Sequence, residues 1–183
     1  VNALIEHGVE ALVLVGEAHA PDFYELLERK QIPFINTYTY QAQASHPCVG
    51  FDNRRATIKM ADYIMDMGHT AIAMIAGICK DNDRATQRVE GVRMAMQSRG
   101  LSLRPDYVVE SRYTIEGGRH AMRRLLALPN PPTAVLTGSD VLAFGALAEC
   151  KAQGVRVPDD LSIIGFDDME FAAHLEPPLT ILQ

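Results

Sequence analysis

The sequence predicts an α/β protein built on parallel sheets with helices packed against both faces. Three observations carry this expectation. Seven short apolar runs recur along the chain, mostly four or five residues long, the length of a strand buried on both faces. Between them, apolar residues recur at helical spacing. The intervening connections are too long for hairpins, so neighbouring strands run in parallel with the helices as crossovers.

Each element has its own signal in the chain. Leu4, Ile5 and Val9 mark a helix already under way at the first residues. Strands are expected at 11–15 (ALVLV), 33–35 (PFI) and 48–51 (CVGF), with one full helix among them. In 54–67, Ala56, Met60, Ala61, Ile64 and Met67 share one helical face, and Gly68 ends the helix. Strand 71–75 (AIAMI) leads to a helix over 83–99 marked by Val89, Val92 and Met96. Strand 107–109 (YVV) leads to a helix marked by Met122, Leu125 and Leu126, stopped by Pro129 and the pair Pro131 and Pro132. Strand 134–136 (AVL) leads to a helix carrying Val141, Phe144, Leu147 and Ala148 that ends near Gly154, and strand 161–164 (LSII) follows. The rhythm changes near Asp52 and Asn53. Four strand–helix units at intervals of roughly thirty residues follow that point, which divides the chain into units 1–52 and 53–183.

Composition narrows the function. Of 183 residues, 48% are hydrophobic and 22% charged, which suits a folded domain rather than a disordered one. The net charge of −6 leaves no basic footprint for nucleic acid on this segment. No apolar run reaches the ~18 residues that span a membrane. Cys48, Cys79 and Cys150 are odd in number and sit beside apolar neighbours, which reads as core cysteines in a reducing compartment. The sequence opens without Met and stops just after an apolar run, so a longer parent protein is expected.

Ligands of open parallel sheets bind beyond the carboxyl ends of the strands. Those positions hold Asn82, Arg84 and, a turn further, Arg88 after the strand at 71–75; Tyr113 after 107–109; Ser139 and Asp140 after 134–136; and Phe166, Asp167 and Asp168 after 161–164. Ionised Asp only accepts hydrogen bonds, Arg offers five donors in a planar fork, and an aromatic ring covers an apolar face of a sugar or base. The combination suits a small polyhydroxylated or acidic molecule. Simpler roles stand beside this reading. Ser139 or Asp140 is a good helix N-cap, Arg88 lies on a helix with a surface, Tyr113 is also a packing lid, and Asp159 and Asp160 belong to a surface turn. The chain has no phosphate-binding Gly-rich loop, no dinucleotide fingerprint and no nucleophile elbow, and its six histidines lack metal-ligand spacing. Adjacent Asp167 and Asp168 are expected to point apart, so a shared catalytic proton is disfavoured. No cofactor, no metal and no catalytic residue are expected.

The stretches VGFDN at 49–53, MADYIMDMGHTAIAMIAG at 60–77, RVEGVRMAM at 88–96, PPTAVLTGSDVLAFGAL at 131–147 and VPDDLSIIGFDDMEFAAHLEPPLT at 157–180 together resemble the LacI/GalR family of bacterial transcriptional regulators, in the family's order and spacing. The resemblance implies an effector-binding core of two lobes, each a Rossmann-type parallel sheet like those of periplasmic sugar-binding proteins. Residues 1–52 correspond to part of the N-terminal lobe and 53–183 to most of the C-terminal lobe. A helix-turn-helix headpiece would lie outside the sequence. Arg88 matches the family's R-x-x-G arginine and Asp167 the first acid of its Gly-Phe/Tyr-Asp-Asp stretch, both effector contacts. Ser139 and Asp140 match an Asn-Asp pair, with Ser replacing Asn. Asn82 and Arg84 fall at variable contact positions, and Tyr113 where an aromatic stacks on effector. The resemblance implies a cytoplasmic, homodimeric regulator that senses a sugar, sugar acid or nucleobase and binds operator DNA through its headpiece. The alternative is a periplasmic sugar-binding component of a transporter; a sugar-processing α/β enzyme is a more distant one.

Overall fold

The structure is a computed structural model, and it describes residues 7–182. The helix expected from Leu4 and Ile5 lies outside the described residues, and 7–10 form only a turn and coil.

Two parallel sheets organise the chain. The first contains β1 (Leu12–Val15), β2 (Phe34–Thr37) and β3 (Cys48–Val49), in the order β1-β2-β3. One helix, α1 (Pro21–Arg29), covers one face. Pro21 suits the first helical turn, where the missing N–H costs nothing, and Asp22 and Arg29 stand at the ends that favour their charges. Tyr24 and Leu27 of α1 and Leu14 of β1 form a small core with Phe23 and Phe34 against it. On the opposite face, Val13, Val15 and Val49 point to solvent.

The second sheet is larger. It contains β4 (Ile72–Gly77), β5 (Val108–Ser111), β6 (Ala134–Thr137), β7 (Ser162–Phe166) and β8 (Thr180–Leu182), all parallel, in the order β5-β4-β6-β7-β8. Four helices flank it: α2 (Asn53–Asp66), α3 (Asp83–Ser98), α4 (Ile115–Leu126) and α5 (Asp140–Gln153). Helix α2 packs with α3 and α4 with α5, and every position of β4 is buried. Each helix begins on a side-chain cap: Asp52, Asn82, Thr114 and Ser139 accept from the backbone N–H three residues on. These caps set where each strand-to-helix connection turns, and so where its side chains point.

Three features differ from the sequence expectation. The strand expected at 48–51 is only Cys48–Val49, because Gly50 turns the chain at φ 155° and a Cβ there would lie 2.6 Å from the Thr39 backbone nitrogen. Strand β8 was not expected, since three residues are too few to show a period. Single 3₁₀ turns form at Pro105–Tyr107, where the Tyr107 hydroxyl donates to the Asn130 carbonyl at 2.7 Å, and at Glu170–His174.

Helices α4 and α5 approach closely because glycines face each other's backbones. A Cβ on Gly118 would meet the Leu142 carbonyl, and one on Gly145 would meet the Ile115 carbonyl. Buried Glu149 of α5 then accepts from Arg119 at 3.1 Å and from Arg123 at 2.8 and 2.9 Å on α4. The Arg123 bonds, with Gln153 behind them, hold the Glu149 carboxyl down at about 2. Gly145→Ala should therefore lower stability by about 1–3 kcal/mol through overpacking, although Ala is the better helix former. Urea denaturation checks this, and an unchanged or raised midpoint would contradict the close approach.

Candidate ligand-binding site

The strand ends of the second sheet meet the first sheet at a polar junction, with Arg88 at its centre. Arg88 is 7% exposed. Its Nε donates to Asn53 Oδ1 at 2.8 Å, its Nη1 donates to the Gly138 carbonyl, and its guanidinium lies 3.8 Å over the Phe166 ring centre. Burial alone disfavours a guanidinium charge and lowers the pKa of Arg88, and the neighbouring Tyr113 and Asp167 work the other way. The described residues engage two of its five N–H donors, which leaves three without a protein partner.

Asn53 was missed as a site residue by sequence reasoning. It is fully buried, and besides accepting from Arg88 it donates through Nδ2 to the Tyr38 carbonyl at 2.8 Å. One amide thereby joins the loop after β2 to the arginine of α3, at the point where the chain passes from the first sheet to the second. The stretch VGFDN drew attention to this place as a boundary, but nothing in it indicates that Asn53 faces inward.

Asp167 and Asp168 follow β7 with φ of 123° and 61°, backbone conformations that non-glycine residues rarely adopt. Strain of this kind persists only where surrounding structure enforces it, and it concentrates at functional loops. Asp140 supplies part of that enforcement. It is fully buried, and its Oδ2 accepts from the Met169 N–H at 2.7 Å, bracing the loop from beneath. Its Oδ1 has no partner among the described residues and sits where a side chain on Gly165 would intrude. Asp167 keeps contact with solvent, but its carboxyl is partly desolvated. That desolvation is the main cause of a pKa pushed up to about 6; Arg88 draws it down and Asp140 pushes it further up.

The remaining candidates divide by role. Tyr113 lies across the end of β4, where its hydroxyl occupies the space that a Cβ on Gly77 would need. Its proximity to Arg88 puts it in the same cluster as Phe166 and Asp167. Asn82 and Ser139 cap α3 and α5. Arg84 reaches the other sheet: its Nη1 donates to the Val15 carbonyl at 3.0 Å and to Asp83 at 3.1 Å. Gly16 makes room for that guanidinium, because a Cβ there would overlap Nη1.

Beside this cluster opens a cavity of about 990 Å³. Phe166 and Asp167 stand in its wall with Tyr38, Tyr40, Phe51 and Lys59. Phe51 lies 5.7 Å from Phe166, centre to centre, so the aromatic wall continues from one sheet's strand ends to the other's. The two tyrosines were also missed. The run TYTY, which begins at the last residue of β2, stands at a strand's carboxyl end, and that position is the signal that could have revealed them. Flat aromatic faces, a cation and an acceptor-only carboxylate can together bind the hydroxyls and apolar face of a sugar-like ring.

Two parallel-sheet lobes meeting at such a cleft define a ligand-binding protein of the periplasmic-binding-protein type. Residues 61–183 match the family described as periplasmic binding protein-like domain. The chain belongs to that family, in the branch formed by the effector-binding domains of LacI/GalR regulators. The HTH-type transcriptional repressor CytR of Escherichia coli K12 is 34% identical over 182 residues, covering all of this chain and 53% of the repressor. A regulatory protein of the LacI family from Chloroflexus aggregans superposes with a TM-score of 0.85 at 30% identity, over 98% of this chain and 65% of that one. The transcriptional regulator CelR in complex with cellobiose superposes with a TM-score of 0.84 at 28% identity, over 98% and 55%. The chain thus spans about half the length of the curated repressor CytR. None of the described helices is long and apolar enough to cross a membrane.

The raised pKa of Asp167 gives a stability test. The folded protein holds this proton up to about pH 6, while an unfolded Asp releases it near 3.9. The stabilising contribution is therefore full below about pH 4 and lost as pH rises through about 6. Asp167→Asn should melt above wild type at pH 7.5, and the gap should close by about pH 4. A gap independent of pH would show that the carboxyl is not desolvated.

Proposed function

We propose that the chain is the effector-sensing part of a LacI-family transcriptional regulator, with residues 1–52 in the N-terminal lobe and 53–183 forming the C-terminal lobe. A sugar, sugar acid or nucleobase enters the cleft between them. Arg88 and Asp167 hold its polar groups, Tyr113 and Phe166 line its apolar faces, and Asn82, Arg84, Ser139 and Asp140 shape the rim. The observation that carries this reading is the placement of Arg88. A buried guanidinium tied to Asn53 at the lobe junction, with donors to spare and a carboxylate nearby, is suited to report on a ligand's arrival to both lobes.

The regulatory step follows from differential affinity. An effector that binds one lobe arrangement more tightly shifts the population towards it, by no more than that difference, typically ~1–3 kcal/mol. Operator DNA is bound by a helix-turn-helix headpiece elsewhere in the longer protein. The protein works as a homodimer in the cytoplasm, because paired headpieces read a near-palindromic site. The relatives CytR and the Chloroflexus aggregans LacI-family protein carry the names of transcriptional regulators, which supports a binding rather than a catalytic reading of the site.

Thermal-shift screening against sugars, sugar acids and nucleobases tests the proposal. A true effector should raise the melting temperature, and Arg88→Ala should weaken it at least about tenfold, since hydrogen bonds to a charged group contribute roughly 1.5–3 kcal/mol each. Asp167→Ala should weaken it as well, and more so above pH 6 than below. A ligand bound equally by both variants would place the effector site elsewhere.

A further inference from the structure

A second cavity lies in the first lobe, away from Arg88, under the loop that follows β2. It measures about 270 Å³ and has Glu17, Tyr24, Asn36, Gln41 and His46 in its wall. Two of these groups are half satisfied in a matching way. Asn36 is fully buried; its Oδ1 lies 3.3 Å from the Tyr24 hydroxyl, and its Nδ2 has no partner among the described residues. Glu17 accepts from Gln41 Nε2 at 2.9 Å through Oε2, which leaves Oε1 buried and without a partner among the described residues. The same tyrosine hydroxyl also lies 3.1 Å from the Glu17 carbonyl, so one side chain positions both groups. Tyr24 is itself held by His46, stacked on it at 4.1 Å and 15°.

Buried polar atoms without partners are rare, and each calls for an occupant. We propose that this cavity is a second binding site, taking a small uncharged molecule that presents a carbonyl oxygen beside an N–H, as a carboxamide or urea does. The Asn36 Nδ2 needs an acceptor and the Glu17 Oε1 accepts from a donor. A bare ammonium ion offers no acceptor to Asn36, and an anion would face the Glu17 carboxyl. The volume is slightly below the ~300 Å³ at which drug-sized pockets begin, so the occupant is small. Burial, and then Asp83 across the lobe junction, raise the pKa of Glu17, while His46 and the Thr39 hydroxyl draw it back. Because Asp83 bonds Arg84, which in turn reaches the Val15 carbonyl, an occupant here borders the contact between the lobes. The site does not depend on the effector assignment.

Titration of the ¹⁵N-labelled chain with acetamide, and separately with tetramethylammonium chloride, provides the test. Acetamide should give saturable shifts in the Asn36 side-chain amide and in residues 41–46, and tetramethylammonium should give none. Asn36→Asp, which replaces the free donor with an acceptor, should weaken acetamide at least about tenfold, and Tyr24→Phe, which frees the amide to turn, several-fold. The proposal fails if acetamide gives no saturable shift, which would leave ordered water as the occupant. It fails equally if tetramethylammonium reproduces the shifts. Should Asn36→Asp not fold, the wild-type titrations and Tyr24→Phe still decide.

Discussion

The bond from Arg88 to Asn53 constrains the site more than any other contact. A guanidinium removed from water must be hydrogen-bonded in place, and here its partners come from three parts of the fold: the first residue of α2, the turn after β6 and the ring that ends β7. Moving any one of these would strand a buried charge. The arginine thus sets the relative positions of the α2 N-terminus and the strand ends of the larger sheet. Through the second bond of Asn53, to the Tyr38 carbonyl, it sets the loop of the smaller sheet as well. The cleft gets its shape from this chain of contacts rather than from an extensive apolar interface between the lobes.

Around that fixed point, strain and burial are placed where a ligand would use them. The two positive-φ aspartates at the end of β7 are held by Asp140 from below, and Phe166, just before them, is clamped between Arg88 and Phe51. A loop secured on its inner side keeps its outer carboxylate at a fixed place without a ligand present, so little ordering cost remains when one binds.

Much of this architecture can be read in the sequence because it rests on local rules. Strand runs such as AIAMI and AVL are apolar throughout, since both faces are covered. Asn82 and Ser139 precede helices with the chemistry caps require. The order of motifs also pointed to the strand ends, and Arg88, Tyr113, Phe166 and Asp167 do gather there. What escaped detection depends on long-range geometry. Asn53 belongs to the helix that follows the boundary, and its inward direction is settled only by Tyr38 and Arg88, fifteen and thirty-five residues away. Asp140 reads as an open contact or a cap, but only the later loop, with Met169, reveals it as a support. Arg84 looks like one more rim residue until Gly16 of the other sheet is placed beside it.

The clasp between the lobes has an evolutionary side. Arg84 holds a main-chain oxygen, at Val15, and every residue presents that oxygen whatever its side chain. Position 15 can therefore drift freely, with its side chain exposed, without loosening the grip, whereas the neighbouring glycine has no such freedom. Selection for new ligands can rework the surroundings of the cleft and inherit the fastening unchanged.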